Sequence, residues 1–552
     1  MRNNPTIFQS FEWNIAADNN HYTRLHHMLP ELHKLGITAL WLPPACKAGN
    51  SSGNGYDVYD LYDLGEFEQR GSRSTKWGPK ESLLLLADQA KNLTVDLYFD
   101  AVLNHRCGGD AKEVITAVEV DTDNRLKTIC APKQVEAWLK FEFPGRQGKY
   151  SSLRYDWRMF NASDWDDRGQ KHGIYKLVDD GKSWAQDVSA EWGNGDYLMF
   201  NNLDYAQNAE LREDVKEWGV WVTRELRLAG FRLDAVQHVS QRYITEWIQH
   251  VRRRVGDAVF VVGEYWSGEV DNLVRFLEGS PEDLYLYDAP LLYNFGRLSY
   301  ERFPDLRTVF NQTLVDCRPN NAVTLVMNHD TQKGQVMDTP IHPSFTSLAY
   351  ALILLREAGY PCVFYGDMYG TSEPFISHPT CNGKLADLIL ARKLYAYGEQ
   401  HDYFDDADCV GWVRRGASGS HTDEHASAGM AVVMNWVGDQ KKTDPAGPEF
   451  SSQKPRWMRR LSGFTGKLGI ATKHSPSRPA VRPVTCQRKM NVGVQHAGET
   501  WTDVLDACHH EVVIENDGSA VFPCEVNSVA VYVSANAAGR ERFPVGFDAS
   551  LC

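Results

Sequence analysis

The chain has no run approaching about 18 uninterrupted apolar residues, the length a membrane-spanning helix needs, so no transmembrane segment is expected. It also lacks positive charge. Lys and Arg number 58 against 72 Asp and Glu, a net charge of −14 at pH 7. This balance argues against nucleic acid or an anionic membrane as the main partner. Cysteine is sparse, 11 in 552 residues, and lacks the tight spacing of a thiolate metal site. The N-terminus shows no basic stretch followed by an apolar one. Met1-Arg-Asn-Asn-Pro leads within a few residues into Ile7-Phe-Gln-Ser-Phe-Glu-Trp13. The expectation is a cytoplasmic protein, unless a leader has been removed, and reduced thiols follow from that setting. Cys508 and Cys524 could lie close across a hairpin, but no bridge between them is expected. No internal repeat is visible.

What is present fits a soluble globular protein of two to four domains, 43% hydrophobic and 24% charged. Sixteen Trp and 24 Tyr are many, and flat aromatic faces suit sugar rings, although most will be core. Apolar runs alternate with helical periodicity. Pro5 to Trp13 reads as a strand, Tyr22 to Leu35 as a helix, and Gly36 to Pro44 as a second strand. A helix over Glu81 to Asn92 precedes a third strand, Val95 to His105. The segment from Cys107 to about Asn208 breaks this pattern and is long enough to need structure of its own. Helix Ala209 to Ala229 restores it. Strands then follow at Gly230 to His238, Ala258 to Trp266, Leu284 to Ala289, Ala322 to Asp330 and Cys362 to Asp367. Helices are expected at Arg242 to Val255, Val270 to Glu278, Ser344 to Ala358 and Leu385 to Ala396.

Eight strands, most followed by a helix, imply a closed (β/α)8 barrel. Short β-like runs after about Gln400 imply an antiparallel β-sandwich. The barrel is expected over 1–104 and 208–399, an inserted domain over 105–207, and the β domain over 400–552. Within the last, 438–483 is rich in Lys, Arg, Pro, Ser and Gly and reads as a long insertion.

In a barrel of this type the active site lies at the C-terminal strand ends. Asn104, His105, Arg232, Asp234, His238, Glu264, Asn328, His329 and Asp330 all fall there. Arg232 and Asp234 are two apart and share a face, which keeps the carboxylate ionised. Glu264 follows the apolar run Val259-Phe-Val-Val-Gly263, so a raised pKa suited to a general acid is expected. Cleavage of a glycosidic bond needs two such carboxylates, and a third with histidines could hold sugar hydroxyls. Each carboxylate alone reads more readily as structural. Three on separate strands, with Arg and His between them, reverse that reading.

Four stretches resemble the conserved regions of the α-amylases, glycoside hydrolase family 13. They are Asp100-Ala-Val-Leu-Asn-His105, Gly230-Phe-Arg-Leu-Asp-Ala-Val-Gln-His238, Gly263-Glu-Tyr-Trp266 and Val326-Met-Asn-His-Asp330. Similarity runs from Gln9-Ser-Phe-Glu-Trp13 to Gly370 and resumes at Ala497-Gly-Glu-Thr-Trp501. The resemblance is to bacterial liquefying enzymes and their intracellular fungal relatives, with the fungal group the better fit. It implies retaining, endo-acting hydrolysis of α-1,4-glucans in starch, glycogen or maltooligosaccharides. Asp234 would be the nucleophile, Glu264 the acid and base, and Asp330 the residue that holds a distorted ring. Substrate contacts are implied for Tyr56, His105, Arg232, His238, His329, Trp13 and Gln237. One calcium ion is implied on Asn104, Asp196, Asn202 and the His238 carbonyl. Asn202 stands where many relatives have Asp, which should weaken the site. Ala185 and Ala206 stand where relatives with further metals carry carboxylates, although Asp164 and Asp204 remain, so a second calcium is not expected. Gln237 replaces a common Lys on the acceptor side, which keeps a 4-α-glucanotransferase open as an alternative. An inactive glucan-binding subunit is disfavoured because all three carboxylates are present. A monomer is expected.

Overall fold

The computed structural model describes residues 4–416, 428–438 and 485–549. Apart from residue 438, the expected insertion over 438–483 lies outside the described residues. Eight parallel strands close into a barrel. They are β1 (Ile7–Gln9), β2 (Ala39–Trp41), β3 (Asp96–Ala101), β4 (Gly230–Leu233), β5 (Phe260–Gly263), β6 (Leu284–Tyr287), β7 (Ala322–Leu325) and β8 (Tyr360–Phe364). Each pairs with its neighbours in sequence, and β8 closes on β1 through Ile7 opposite Cys362.

The ladders are shorter than the apolar runs that announce them. The run Ala322 to Asp330 contributes only its first four residues to β7, and Pro5 to Trp13 only three to β1. The freed C-terminal ends turn out of the ladder and carry the polar side chains into the barrel mouth. One helix, Ala289–Tyr300, was not expected from periodicity because buried apolar residues surround much of it. Its start is nonetheless written locally. The Asp288 side chain accepts from Leu291 N, and Pro290 sits in the first turn.

Between β3 and β4 the chain forms an antiparallel six-stranded sheet. Its order is His105–Arg106, Asn201–Leu203, Phe160–Asp166, Lys171–Leu177, Ala111–Val120, Lys133–Lys140. Its first strand begins four residues after β3, so the sheet rises directly beside the barrel mouth. After the barrel, a second six-stranded antiparallel sheet faces the pair Thr485–Asn491 and Ser519–Glu525. Val413, Val433, Trp501, Phe522 and Tyr532 fill the space between them.

The thiols depart from expectation in one place. Cys409 and Cys486 form a disulfide, with Cα atoms 6.2 Å apart, because the facing strands bring together residues 77 apart in sequence. Cys508 and Cys524 are both free and buried. Among the described residues no helix is long and apolar enough to cross a membrane.

Helix Ala209–Leu226 crosses helix Gln241–Val255 at Gly219, which is buried. A Cβ added there would meet the Trp247 ring at 2.6 Å and Val251 at 2.7 Å. Overpacking of this kind costs ~1–3 kcal/mol. Gly219→Ala is therefore expected to lower the unfolding free energy by that amount, seen as a lower denaturant midpoint with the unfolding slope unchanged. An unaltered midpoint would show that the helices part without cost.

Candidate active site

The barrel register sets Arg232 of β4 opposite Asp100 of β3 and Val262 of β5. Its guanidinium is 1% exposed and touches three carboxylates. Nη1 donates to Asp100 Oδ1 and to Asp234 Oδ1, both at 2.6 Å, and Nη2 donates to Glu264 Oε2 at 2.7 Å. Glu264 Oε2 also accepts from the backbone N–H of Ala235 at 3.1 Å. Ala235 can offer that N–H because it takes a left-handed conformation, φ 45°, just past the end of β4. The bend turns Asp234 into the mouth.

Asp100 was read as part of a motif without a role of its own. It proves to be the floor of the site. Its Oδ2 accepts from Trp41 Nε1 at 2.9 Å and from the Tyr56 hydroxyl at 2.8 Å. The Tyr56 ring lies parallel to His329, with centroids 5.0 Å apart and planes 5° apart. Trp13 is parallel to both, 5.8 Å from Tyr56 and 5.9 Å from His329. The three rings form one aromatic wall. His329 is held by Gln9, whose amide lies 2.9 Å from Nδ1, and its Nε2 lies 3.2 Å from Asp330 Oδ2. Gln332 bonds Glu12 at 3.0 Å and the Trp13 N–H at 3.1 Å, which fixes the outer ring. Gln9, Glu12 and Gln332 were not foreseen. Each supports a neighbouring site group, and nothing in residue type alone distinguishes that role from surface polarity.

Charge sets the protonation here. Four carboxylates, Asp100, Asp234, Glu264 and Asp330, share one guanidinium, so they cannot all ionise without strong repulsion. Burial pushes Glu264 up to about 8 against the pull of Arg232, and the charges of Asp234 and Asp330 add to the rise. Burial likewise raises Asp330 to about 7 and Asp100 to about 6. His329 is driven well below its ordinary range by burial and by Arg232, so its ring is neutral.

The remaining sequence candidates sit at the seam with the inserted sheet. The His238 ring is buried and held by the inserted segment. Its Nδ1 is 2.5 Å from the Gly195 carbonyl, and its plane stacks on Trp192 at 5.6 Å. Gln237 is buried, with Oε1 lacking a partner among the described residues. Asn104, Asp196 and His238 line one small cavity together with Asn161 and Ala185. Asn104 Nδ2 lies 2.7 Å from the His238 carbonyl and 3.4 Å from that of Asp196. Asp196 Oδ2 accepts from Asn161 Nδ2 at 2.7 Å and from Ala185 N at 2.9 Å. Asn202 donates to Asn161 at 2.8 Å and leaves its own Oδ1 buried without a partner. Burial raises Asp196 to about 7.

A family model described as the α-amylase catalytic domain matches residues 24–402. An α-amylase of Bacillus licheniformis is 38% identical over 96% of this chain and 93% of its own length. A cytoplasmic α-amylase of Escherichia coli is 35% identical over 96% of this chain and 99% of its own. The chain belongs to the α-amylase family. An α-amylase structure from Anoxybacillus superposes with a TM-score of 0.57 at 14% identity, covering 97% of this chain and 98% of that one. The relatives just named by sequence are bacterial, so the expected closeness to the fungal group finds no support.

The raised carboxyl has a consequence for stability. Glu264 ionises near 4.5 when unfolded and near 8 when folded. Below pH 4.5 both states hold the proton and this group contributes no difference. As pH rises toward 8 the unfolded state gains by ionising, so the fold loses stability across that window. Glu264→Gln is expected to raise the unfolding free energy, read from denaturant midpoint and slope, at pH 8 more than at pH 5, by on the order of a few kcal/mol. Equal shifts at both pH values would show that the folded carboxyl titrates normally.

Proposed function

We propose that this α-amylase cleaves α-1,4-glucosidic bonds within glucan chains by a retaining mechanism, with Asp234 as nucleophile and Glu264 as acid and base. The observation that carries the reading is the sharing of Arg232 between those two carboxylates, one in the mouth beside a guanidinium, the other buried and raised. The Asp234 oxygen bonds to the anomeric carbon as the bond to the leaving oxygen breaks, and Glu264 gives that oxygen its proton. Water then attacks the same carbon. Glu264 takes a proton from the water, and the ester to Asp234 is released. Arg232 orients Asp234 through their 2.6 Å bond. The wall of Trp13, Tyr56 and His329 gives a sugar ring a flat face to stack on, with neutral His329 and Asp330 positioned for its hydroxyls, while His105, both ring nitrogens engaged by Tyr56 and Asn104, braces the wall from behind. His238 contributes through its carbonyl at the seam, and Gln237 offers an unpaired amide oxygen toward an acceptor sugar. A cytoplasmic setting is supported by the Escherichia coli relative, while the Cys409–Cys486 bridge points the other way.

The test is incubation with maltoheptaose, resolving products by size. Only shorter products are expected, and products longer than seven units would mean that a sugar replaces water as acceptor. Glu264→Gln should lower kcat by on the order of 10²–10⁴. An unchanged kcat would remove Glu264 from the mechanism.

A calcium ion is part of the proposal, held by Asn104, Asp196, Asn202 and the His238 carbonyl. The hydrogen bonds around Asn104 support it. His105 Nε2 lies 2.7 Å from the Tyr56 carbonyl, so it carries the proton. Burial lowers the His105 pKa, so the ring is neutral and Nδ1 is bare. Asn104 Oδ1 nevertheless lies 3.2 Å from that nitrogen. Turning the amide over resolves the conflict and points its oxygen at two carbonyl oxygens, which is a cation's environment. When bound, calcium would supply the charge that fastens the inserted sheet to the barrel. A second ion does not fit. Asp204 is already neutralised by Lys182 at 2.6 Å, both buried, and Ala185 and Ala206 offer no ligand side chain. Asn202→Asp should tighten calcium binding by roughly ten-fold, because charge count tunes such sites. The check is calcium titration of the unfolding temperature after chelation, and an unmoved half-effect concentration would exclude Asn202 as a ligand.

A further inference from the structure

The C-terminal β domain holds a cluster that the glucan site does not use. Cys508, His510 and Glu525 each offer one ligand atom, and these atoms all lie within 4.8 Å of one another. The three come from two separate segments. Cys508 and His510 lie in the connection between strands Thr500–Asp503 and Val512–Val513, and Glu525 ends strand Ser519–Glu525.

The connection is held firmly. Asp503, buried, accepts from the N–H groups of Leu505 (3.0 Å), Ala507 (2.8 Å), Cys508 (3.0 Å) and Val531 (2.8 Å). The Cys508 backbone is thereby fixed against the sheet before any ion arrives. Glu525 is fixed by its ladder position opposite Thr485. The next histidine along, His509, is engaged elsewhere, 3.0 Å from Asp506. Among the described residues no hydrogen bond or ion pair occupies the His510 ring or the Glu525 carboxylate. The burial is graded: Cys508 buried, Glu525 half-buried and His510 exposed.

We propose that Cys508, His510 and Glu525 form a zinc site on the β domain. A thiolate, an imidazole and a carboxylate are the ligand types that tetrahedral zinc takes, whereas calcium and magnesium take oxygen alone. Zinc bonds of about 2.0–2.3 Å place tetrahedral ligands roughly 3.5 Å apart, within side-chain movement of the observed spread. On binding, the Cys508 thiol gives its proton to solvent, the His510 ring binds through an unprotonated nitrogen, and water fills the fourth position on the exposed side. Affinity therefore rises with pH. The ion ties the 504–511 connection to the strand end at Glu525. It lies outside the barrel mouth and takes no part in the glucan reaction.

The full-length protein, stripped of metal, is titrated with Co²⁺ as a spectroscopic probe and then with Zn²⁺. One equivalent of Co²⁺ is expected to give a thiolate-to-metal charge-transfer band that Zn²⁺ abolishes and a large excess of Ca²⁺ does not. Cys508→Ser should remove the band. His510→Ala, at an exposed position that leaves the core intact, should weaken Co²⁺ and Zn²⁺ binding by on the order of ten-fold or more. Hydrolysis of maltoheptaose should be unchanged in His510→Ala, which separates this site from the glucan reading. Absence of the band, its persistence in Cys508→Ser, or unaltered affinity in His510→Ala would each overturn the proposal.

Discussion

Arg232 bonds three of the four carboxylates gathered in the barrel mouth. Adjacent strands lie about 4.8 Å apart, so a side chain on β4 can reach both β3 and β5. Arg232 uses that reach fully, bonding Asp100 on one side and Glu264 on the other, with Asp234 between them. Burying such a charge is costly unless every contact is good. Here three charge-assisted bonds of 2.6–2.7 Å offset the cost and leave the group little freedom. The same arithmetic keeps the mouth partly protonated. One positive charge cannot neutralise four negative ones, and Glu264, buried and beside the charges of Asp234 and Asp330, holds its proton most firmly.

The aromatic wall depends on that cluster. Tyr56 lies parallel to Trp13 and His329, and its hydroxyl is tied to Asp100, the same carboxylate that braces Arg232. Arg232 also lies over the Tyr56 ring at 5.6 Å and over Trp41 at 5.2 Å. The aromatic wall and the charged cluster thus share one floor residue. Removing Asp100 would release the phenol and one arm of the guanidinium together.

The barrel was legible because parallel strands buried on both faces read as apolar runs, and polar residues at only one end of each run mark the open mouth. Asp234, Glu264 and Asp330 could be picked out for that reason. Strand lengths were not legible, since Val326 or Phe11 is as apolar outside the ladder as inside it. The helix Ala289–Tyr300 was hidden for a related cause, since only Tyr293, Asn294, Arg297 and Tyr300 leave its buried face and two of these are aromatic, so the period is faint in the sequence. Supporting groups were hidden differently. Gln9 and Gln332 act through partners 320 residues away, and no local pattern encodes such contacts. The Cys409–Cys486 pairing was equally remote, a product of facing strands.

The seam between barrel and inserted sheet links these features through one amide. Asn104 follows β3 by three residues and touches His105 on one side and the His238 and Asp196 carbonyls on the other. A side-chain amide has one oxygen end and one nitrogen end, so both neighbours cannot be served alike. If the oxygen faces the carbonyls, the nitrogen serves the bare Nδ1 of His105, and the ring is free to donate from Nε2 to Tyr56. If the nitrogen faces the carbonyls, His105 must carry its proton on Nδ1 and loses its hold on the Tyr56 backbone. Whatever positions the Asn104 amide therefore also sets the tautomer beside the aromatic wall. Charge at the seam and the aromatic wall are joined by three contacts, from the His238 carbonyl through Asn104 and His105 to the Tyr56 backbone.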